Sequence, residues 1–287
     1  MNDRVVITNV TRVTADGPSA DQDLVAAESP LEILLTHDPA SPQAHSIGLV
    51  MRTPGDDEDL VAGLLVSEQI VSHPDDILGM TFVAETGSGV EGPAAHPARA
   101  TVRLVTTIEL GSLVAARVLD RTSACGMCGR LAMQTVRQRV ARRPDAPAID
   151  AGVIESIPAR LRQGQAVFAE TGGLHAAALC TLQGEPWLLR EDVGRHNAVD
   201  KVVGAAFRSG RWPATEALLA VSGRVAYEIV QKAAAAGVVG IVAVGAPSSL
   251  AVDAARAAGL TLVGFTREGR FNIYTGRERI VGARLTQ

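Results

Sequence analysis

The last quarter of the chain allows few folds. Residues 216–266 read as strand "EALLAVS", helix "RVAYEIVQKAAAA", strand "VVGIVAVG", helix "SSLAVDAARAA" and strand "LTLVGFT". Apolar strands that hardly alternate, each followed by an amphipathic helix, require a parallel sheet covered on both faces. The expected class is therefore α/β. Aromatic residues are only 3% of the sequence, so small aliphatic side chains must fill the core.

Upstream the pattern is less regular. "AVFAE" and "AAALCTL" read as strands, the second turning at "QGEP" into "WLLRED", and "NAVDKVVGAAFRSG" reads as a helix. In the first half, "PLEILLTHD", "HSIGLVMRT" and "ATVRLVTTIEL" have strand character, because apolar and β-branched runs are bounded by Pro, Asp and Ser. "TPGDDEDLVAGLLVSEQIV" has a helix signature: acidic residues at its start, then Leu60, Gly63, Leu64 and Ser67 at helical spacing. "ETGSGVEGPAAHPAR" reads as a mobile hairpin tip. "GRLAMQTVRQRVARR" is an amphipathic helix with Ala132, Val136 and Val140 on one face. "RPDAPAIDAG" is the best boundary between the halves. The expected organisation is a loosely ordered tail over 1–24, an α+β subdomain over 25–148 and an α/β subdomain over 149–287.

Composition excludes several classes. A net charge of −4 argues against a general nucleic-acid binder. No stretch approaches the roughly 18 apolar residues that span a bilayer, and the N-terminal segment has no apolar signal region. Three cysteines make no disulfide framework. A cytoplasmic protein with reduced thiols is expected.

Three stretches could carry chemistry. In "SACGMCGR", Cys125 and Cys128 precede a helix, where unpaired backbone N–H groups, the macrodipole and the neighbouring Arg121 and Arg130 all favour thiolate. The same spacing also suits half of a zinc site, with His175 and Cys180 as the remaining ligands, or a redox dithiol. Against zinc, Cys180 sits in an apolar strand, and residues five apart on a strand face opposite ways. A zinc deaminase is disfavoured further, because position 177 is Ala where its catalytic Glu would stand. "REDVGRHNAVDK" has seven ionisable residues among twelve, and is either a solvated charge run or an anion site at a helix N-terminus. "AVSGRVAYE", "AVGAPSSLA" and "GFTREGRFN" follow strands of the parallel run, where such sheets bind ligands. Neither a GxGxxG fingerprint nor a P-loop is present.

Taken in order, "MRTPGDDEDLVAGLLVSEQIV", "SACGMCGR", "ETGGLHAAAL", "REDVGRHNAVDKVVG", "VSGRVAYEIVQKAAAAG" and "GFTREGRFNIYTG" resemble the motifs of the FdhD family, sulfur carriers needed for formate dehydrogenase activity. The resemblance runs from about residue 25 onward. It implies a C-terminal cytidine-deaminase-like α/β/α sandwich with a smaller mixed α+β N-terminal subdomain, assembled as a homodimer. It further implies that the chain is a sulfurtransferase: sulfur comes as persulfide from a cysteine desulfurase and passes to the molybdenum of bis-(molybdopterin guanine dinucleotide). That cofactor is a bound substrate, destined for formate dehydrogenase, and no tightly bound metal is expected. By the resemblance Cys125 holds the persulfide and Cys128 is a relay or resolving thiol. Phe265, Thr266, Arg267, Glu268, Gly269 and Arg270 match the cofactor-binding segment. Asp192, Arg195, His196, Ser222 and Arg224 are expected in the same pocket by motif position. The alternative is a zinc-binding or dithiol redox protein using the CxxC. Neither nucleic acid nor membrane is expected as a partner.

Overall fold

The computed structural model describes residues 3–38, 44–84, 97–110 and 147–282. The CxxC, the helix expected after it and the tip of the expected hairpin lie outside the described residues.

The C-terminal half is an α/β/α sandwich. It opens with β7 (Ile149–Asp150), α2 (Ala151–Gln163) and α3 (Ala166–Thr171). Next come β8 (His175–Thr181), β9 (Pro186–Asp192), α4 (Arg195–Arg208), β10 (Ala217–Val221), α5 (Tyr227–Ala236), β11 (Gly240–Ala243), α6 (Ser249–Ala258), β12 (Thr261–Arg267), β13 (Arg270–Thr275) and β14 (Ile280–Val281). Six strands form one sheet in the order β13-β12-β11-β10-β8-β9. The three strands of the closing βαβαβ run are parallel, as its pattern requires. Tight turns then add β8 with β9 on one side and β13 on the other, all antiparallel, so the sheet as a whole is mixed.

Alternate residues of each strand enter two separate cores. Ala177, Leu179, Leu219, Val221, Ile241 and Leu262 pack beneath α4, α5 and α6. Ala176, Ala178, Cys180, Leu218, Ala220, Val242 and Val263 pack against Ile154, Ile157 and Leu161 of α2. Both faces are dry, which explains why the strands read as unbroken apolar runs. Each buried Leu, Ile or Val contributes about 1.5–3 kcal/mol.

The N-terminal half contains β1 (Val5–Thr14), β2 (Gly17–Ala26), β3 (Ser29–Thr36), β4 (His45–Arg52), α1 (Asp57–Ser67), β5 (Ile77–Val83) and β6 (Ala98–Leu104). Its four-stranded sheet, β4-β3-β6-β5, buries Leu31, Ile33, Leu35, Ala100 and Val102 against α1. α1 in turn lies on α4, so one core runs from this sheet into the sandwich. The helices meet at glycines: a Cβ on Gly204 would stand 1.8 Å from the Asp59 carbonyl oxygen, and one on Gly63 1.8 Å from that of Asp200. Backbone touches backbone there, and only glycine permits it. The boundary expected at 148 and 149 falls immediately before β7.

Two expectations are corrected. The tail expected to be loosely ordered over 1–24 instead enters an antiparallel ribbon, β1 with β2, in full register from Val5↔Ala26 to Thr14↔Gly17. Its β-branched run "VVITNVTRVT" carries that preference, which its polar composition obscured. "AVFAE", expected as a strand, is helix α3, because buried Glu191 accepts the Val167 and Phe168 N–H groups and caps its first turn. Among the described residues no helix is long and apolar enough to cross a membrane.

Candidate anion-binding site at the carboxyl ends of the central strands

The charged stretch "REDVGRHNAVDK" divides into an inward network and two residues outside it. Asp192 at the end of β9 is wholly buried. Its Oδ1 accepts hydrogen bonds from the Gly194 N–H (2.8 Å) and the Asn197 side chain (2.9 Å). Its Oδ2 accepts from the Thr53 N–H (3.2 Å) and pairs with Lys201 Nζ at 2.8 Å. Lys201, equally buried, also donates to the Thr53 carbonyl oxygen at 2.9 Å. Arg190 pairs with Asp59 at 2.8 Å, and Asp200 with Lys232 at 2.7 Å and Ser67 at 2.8 Å. For Asp200, burial favours the protonated acid while Lys232 pulls the other way. These groups hold the loop before α4 against β4 and α1. Two members, Arg195 and His196, are half-buried at the helix start and stay outside this network; Arg195 Nε and His196 Nε2 are buried without a hydrogen bond among the described residues.

Arg195 and His196 stand at the end of the sheet where β8 begins and β9, β10, β11 and β12 end, the place where open α/β sheets form their ligand crevice. Ser222, just past β10, is pinned to β8: its Oγ accepts from the Ala176 N–H, and its own N–H donates to the Ala176 carbonyl, both at 2.9 Å. This brings Gly223 and Arg224 beside His175, the first residue of β8. A Cβ at Gly223 would lie 3.3 Å from His175 Nδ1 and 3.7 Å from Arg195 Cβ, so the glycine keeps the crevice open. Two helices start here, α4 behind Gly194 and α5 behind Ala226, and neither has a side-chain cap. The positive end of the α4 dipole there favours an anion.

The arginines sort sharply by location. Among the described residues, those at 4, 12, 52, 99, 160, 190, 208 and 256 pair with carboxylates. Those at 103, 277 and 279 donate to backbone carbonyls, and those at 162 and 211 lie over aromatic rings. Arg195, Arg224, Arg267 and Arg270 have none of these partners. All four stand at the carboxyl end of the sheet, and Arg195 Nε is buried without a hydrogen bond. Unpaired guanidiniums beside uncapped helix starts make a receptor for phosphate or carboxylate.

The positive field and burial lower the pKa of both histidines. Burial, then Arg195 and Arg224, hold His175 below the usual histidine range, with Asp192 opposing. Burial and Arg195 lower His196 as well, against Glu228, whose Oε2 lies 3.8 Å from His196 Nε2.

The β12–β13 hairpin edges the crevice. Phe265 is 43% exposed with φ 52°, a left-handed conformation unusual for a bulky side chain, and its N–H donates to the Gly245 carbonyl at 3.1 Å. Thr266 is buried, and its hydroxyl lacks a partner among the described residues. Arg267, Glu268, Gly269 and Arg270 form the exposed turn.

Of the expected site residues, Arg195, His196, Ser222, Arg224 and the 265–270 segment therefore share one end of the sheet. Asp192 lies beneath them as a positioning residue. Cys125 and Cys128 lie outside the described residues. Cys180 and His175 enter opposite faces of β8, and burial pushes the Cys180 thiol up to about 12. Among the described residues no three His, Cys, Asp or Glu side chains gather as a metal site. Sequence reasoning weighed His175 only as a metal ligand and missed Thr53 and Lys201. A lysine inside the apolar face "AVDKVV" was the available signal for the latter.

The sequence profile of the FdhD/NarQ family matches residues 26–281. A protein of Nocardia farcinica named sulfur carrier protein FdhD is 46% identical over 277 residues, covering 94% of this chain and 93% of the relative. Its namesake in Streptomyces avermitilis is 43% identical over 274 residues, covering 94% of each. A crystal structure described as that of a formate dehydrogenase accessory protein from Desulfotalea psychrophila superposes with a TM-score of 0.71 at 23% identity, covering 96% of this chain and 99% of the other.

Proposed function

The chain belongs to the FdhD/NarQ family, and on that premise we propose that it is a sulfur carrier acting for formate dehydrogenase. Its donor is a cysteine desulfurase and its acceptor the molybdenum of bis-(molybdopterin guanine dinucleotide), both met in the cytoplasm by a homodimer. The relatives' names support the carrier reading. The observation that supports the acceptor is that, among the described residues, four arginines without partners and the start of α4, which has no side-chain cap, stand at one end of the sheet. A cofactor with two pyrophosphates needs such contacts.

The chemistry follows from the cysteines. The Cys125 thiolate attacks the outer sulfur of the desulfurase persulfide; an S–S bond forms to Cys125, and the donor's S–S bond breaks as its cysteine leaves as thiolate. Cys128 is the resolving thiol. Its attack on Cys125 Sγ expels the terminal sulfur as hydrosulfide, which replaces an oxygen ligand of the molybdenum as water leaves. The resulting Cys125–Cys128 disulfide is reopened by a thiol reductant. Arg195 and Arg224 bind pyrophosphate, Asp192 and Lys201 hold the loop presenting Arg195, and Phe265 offers an exposed ring to a base.

The test is intact mass spectrometry after incubation with a cysteine desulfurase, L-cysteine and pyridoxal phosphate. The wild type gains about one sulfur, lost on reduction, and Cys125→Ala gains none. Stoichiometric zinc with no mass gain would replace this reading with a structural metal site. Disulfide reduction without any sulfur donor would replace it with a redox dithiol.

A further inference from the structure

His175 has Arg195 and Arg224 as electrostatic neighbours, and the proposed chemistry gives it no task. Its ring stands against Gly223, beside Arg195. Among the described residues the imidazole makes no hydrogen bond, although it is half-buried. No His175 nitrogen is among the buried unpartnered atoms of the described residues, so the ring is open to solvent and to a ligand. We propose that His175 is a ligand-contacting residue of this site, taking up one proton from solvent as a pyrophosphate diester binds between Arg195 and Arg224, and donating a hydrogen bond to it. This rests on the proposed binding of a guanine dinucleotide cofactor, and assigns a residue and a proton to that step.

The charges around the ring give the direction. Arg195 at the start of α4 and Arg224 after β10 disfavour the imidazolium, while Asp192 at the end of β9 favours it. Asp192 is already engaged by Lys201, so it is poorly placed to offset both guanidiniums. His196, the other nearby imidazole, is lowered by burial and Arg195 and has Glu228 and Lys232 as further neighbours. A bound diphosphate neutralises the arginines and adds negative charge next to the ring, so the histidine is more basic in the complex than in the free protein. Affinity is then highest in acid and declines as pH rises through the window between the free and bound titrations. The decline reaches up to about tenfold per pH unit for one proton.

The same reasoning distinguishes His175 from a merely structural histidine. A structural ring packed against Gly223 would change affinity on replacement without altering proton uptake. A proton-accepting ring must change the uptake itself.

The experiment is isothermal titration calorimetry with GDP-mannose, a guanine nucleotide whose esterified pyrophosphate exchanges no proton near neutrality. Titrations near pH 7 in buffers of different ionisation enthalpy read net proton uptake directly. Wild type takes up a measurable fraction of a proton. His175→Gln still binds, more weakly by about tenfold, with uptake abolished and a flat pH profile, whereas His196→Gln keeps the uptake. Binding by wild type without uptake, or uptake preserved in His175→Gln, overturns the assignment to His175 and leaves the proposed function standing. Absence of any GDP-mannose binding by wild type overturns both. NMR titration of the His175 ring in the wild-type protein, with and without GDP-mannose, reads the same proton without a variant. An unchanged titration on binding overturns the proposal.

Discussion

Lys201 Nζ and the Asp192 carboxylate stand 2.8 Å apart with both side chains wholly buried, directly beneath the start of α4. The pair ties β9, α4 and Thr53 of the N-terminal half into one support for Arg195. Removing a single partner leaves an uncompensated buried charge. Lys201→Met is expected to lose about 3–5 kcal/mol in urea unfolding. Combining it with Asp192→Asn should cost clearly less than the sum of the single losses. Additive losses would show that the pair is not the interaction that matters.

The contact between Gly63 and Gly204 sets how closely the two halves pack. Gly204→Ala drives a methyl into the Asp59 carbonyl, a clash that no rotamer relieves. A loss of about 3 kcal/mol is expected. Gly79→Ala, where nothing lies within 4 Å, should stay within about 0.5 kcal/mol. Equal melting temperatures for the two variants would contradict the close helix crossing.

Phe265 holds an exposed ring on a left-handed backbone. Replacement by glycine relieves about 1 kcal/mol of strain, so thermal stability should hold or rise. Loss of a base-stacking surface is worth about 1–3 kcal/mol, so affinity for GDP-mannose should fall at least about fivefold. A variant that melts lower yet binds as before would make the residue structural.

Cys180 is expected to resist iodoacetamide in the native protein near neutral pH and to react once urea unfolds the chain. Peptide mapping separates it from Cys125 and Cys128. Because its folded value of about 12 lies above the unfolded one, burial of the neutral thiol contributes stability that is complete below about pH 8.5. That contribution is lost as pH rises toward the folded value. Wild type should therefore lose more stability between neutral and strongly alkaline pH than Cys180→Ala does.

How much was legible differs from element to element. The run over 216–266 was readable because a strand buried on both faces carries its signature in consecutive residues. "AVFAE" was not readable, since its helix depends on the Glu191 carboxylate 24 positions away. The N-terminal ribbon carried a clear β-branched signal that overall polarity masked. In the candidate site, Arg195, His196, Ser222 and Arg224 were expected from motif position and stand at one end of the sheet, and Asp192 was expected with them, although its carboxylate is directed into the protein.

By itself, then, the sequence determined the parallel strands, the helices between them, the small aliphatic core and the family motifs. All of these are patterns within a few residues of one another. Tertiary structure alone decided which charges are spent inside the protein and which are left for a ligand. Asp192 meets Thr53 across 139 positions and Arg190 meets Asp59 across 131, whereas Arg195 and Arg224 meet no such partner among the described residues. A guanidinium in the sequence looks the same in either case. Its availability depends on whether the fold brings an opposite charge within hydrogen-bonding distance, and local spacing does not encode that.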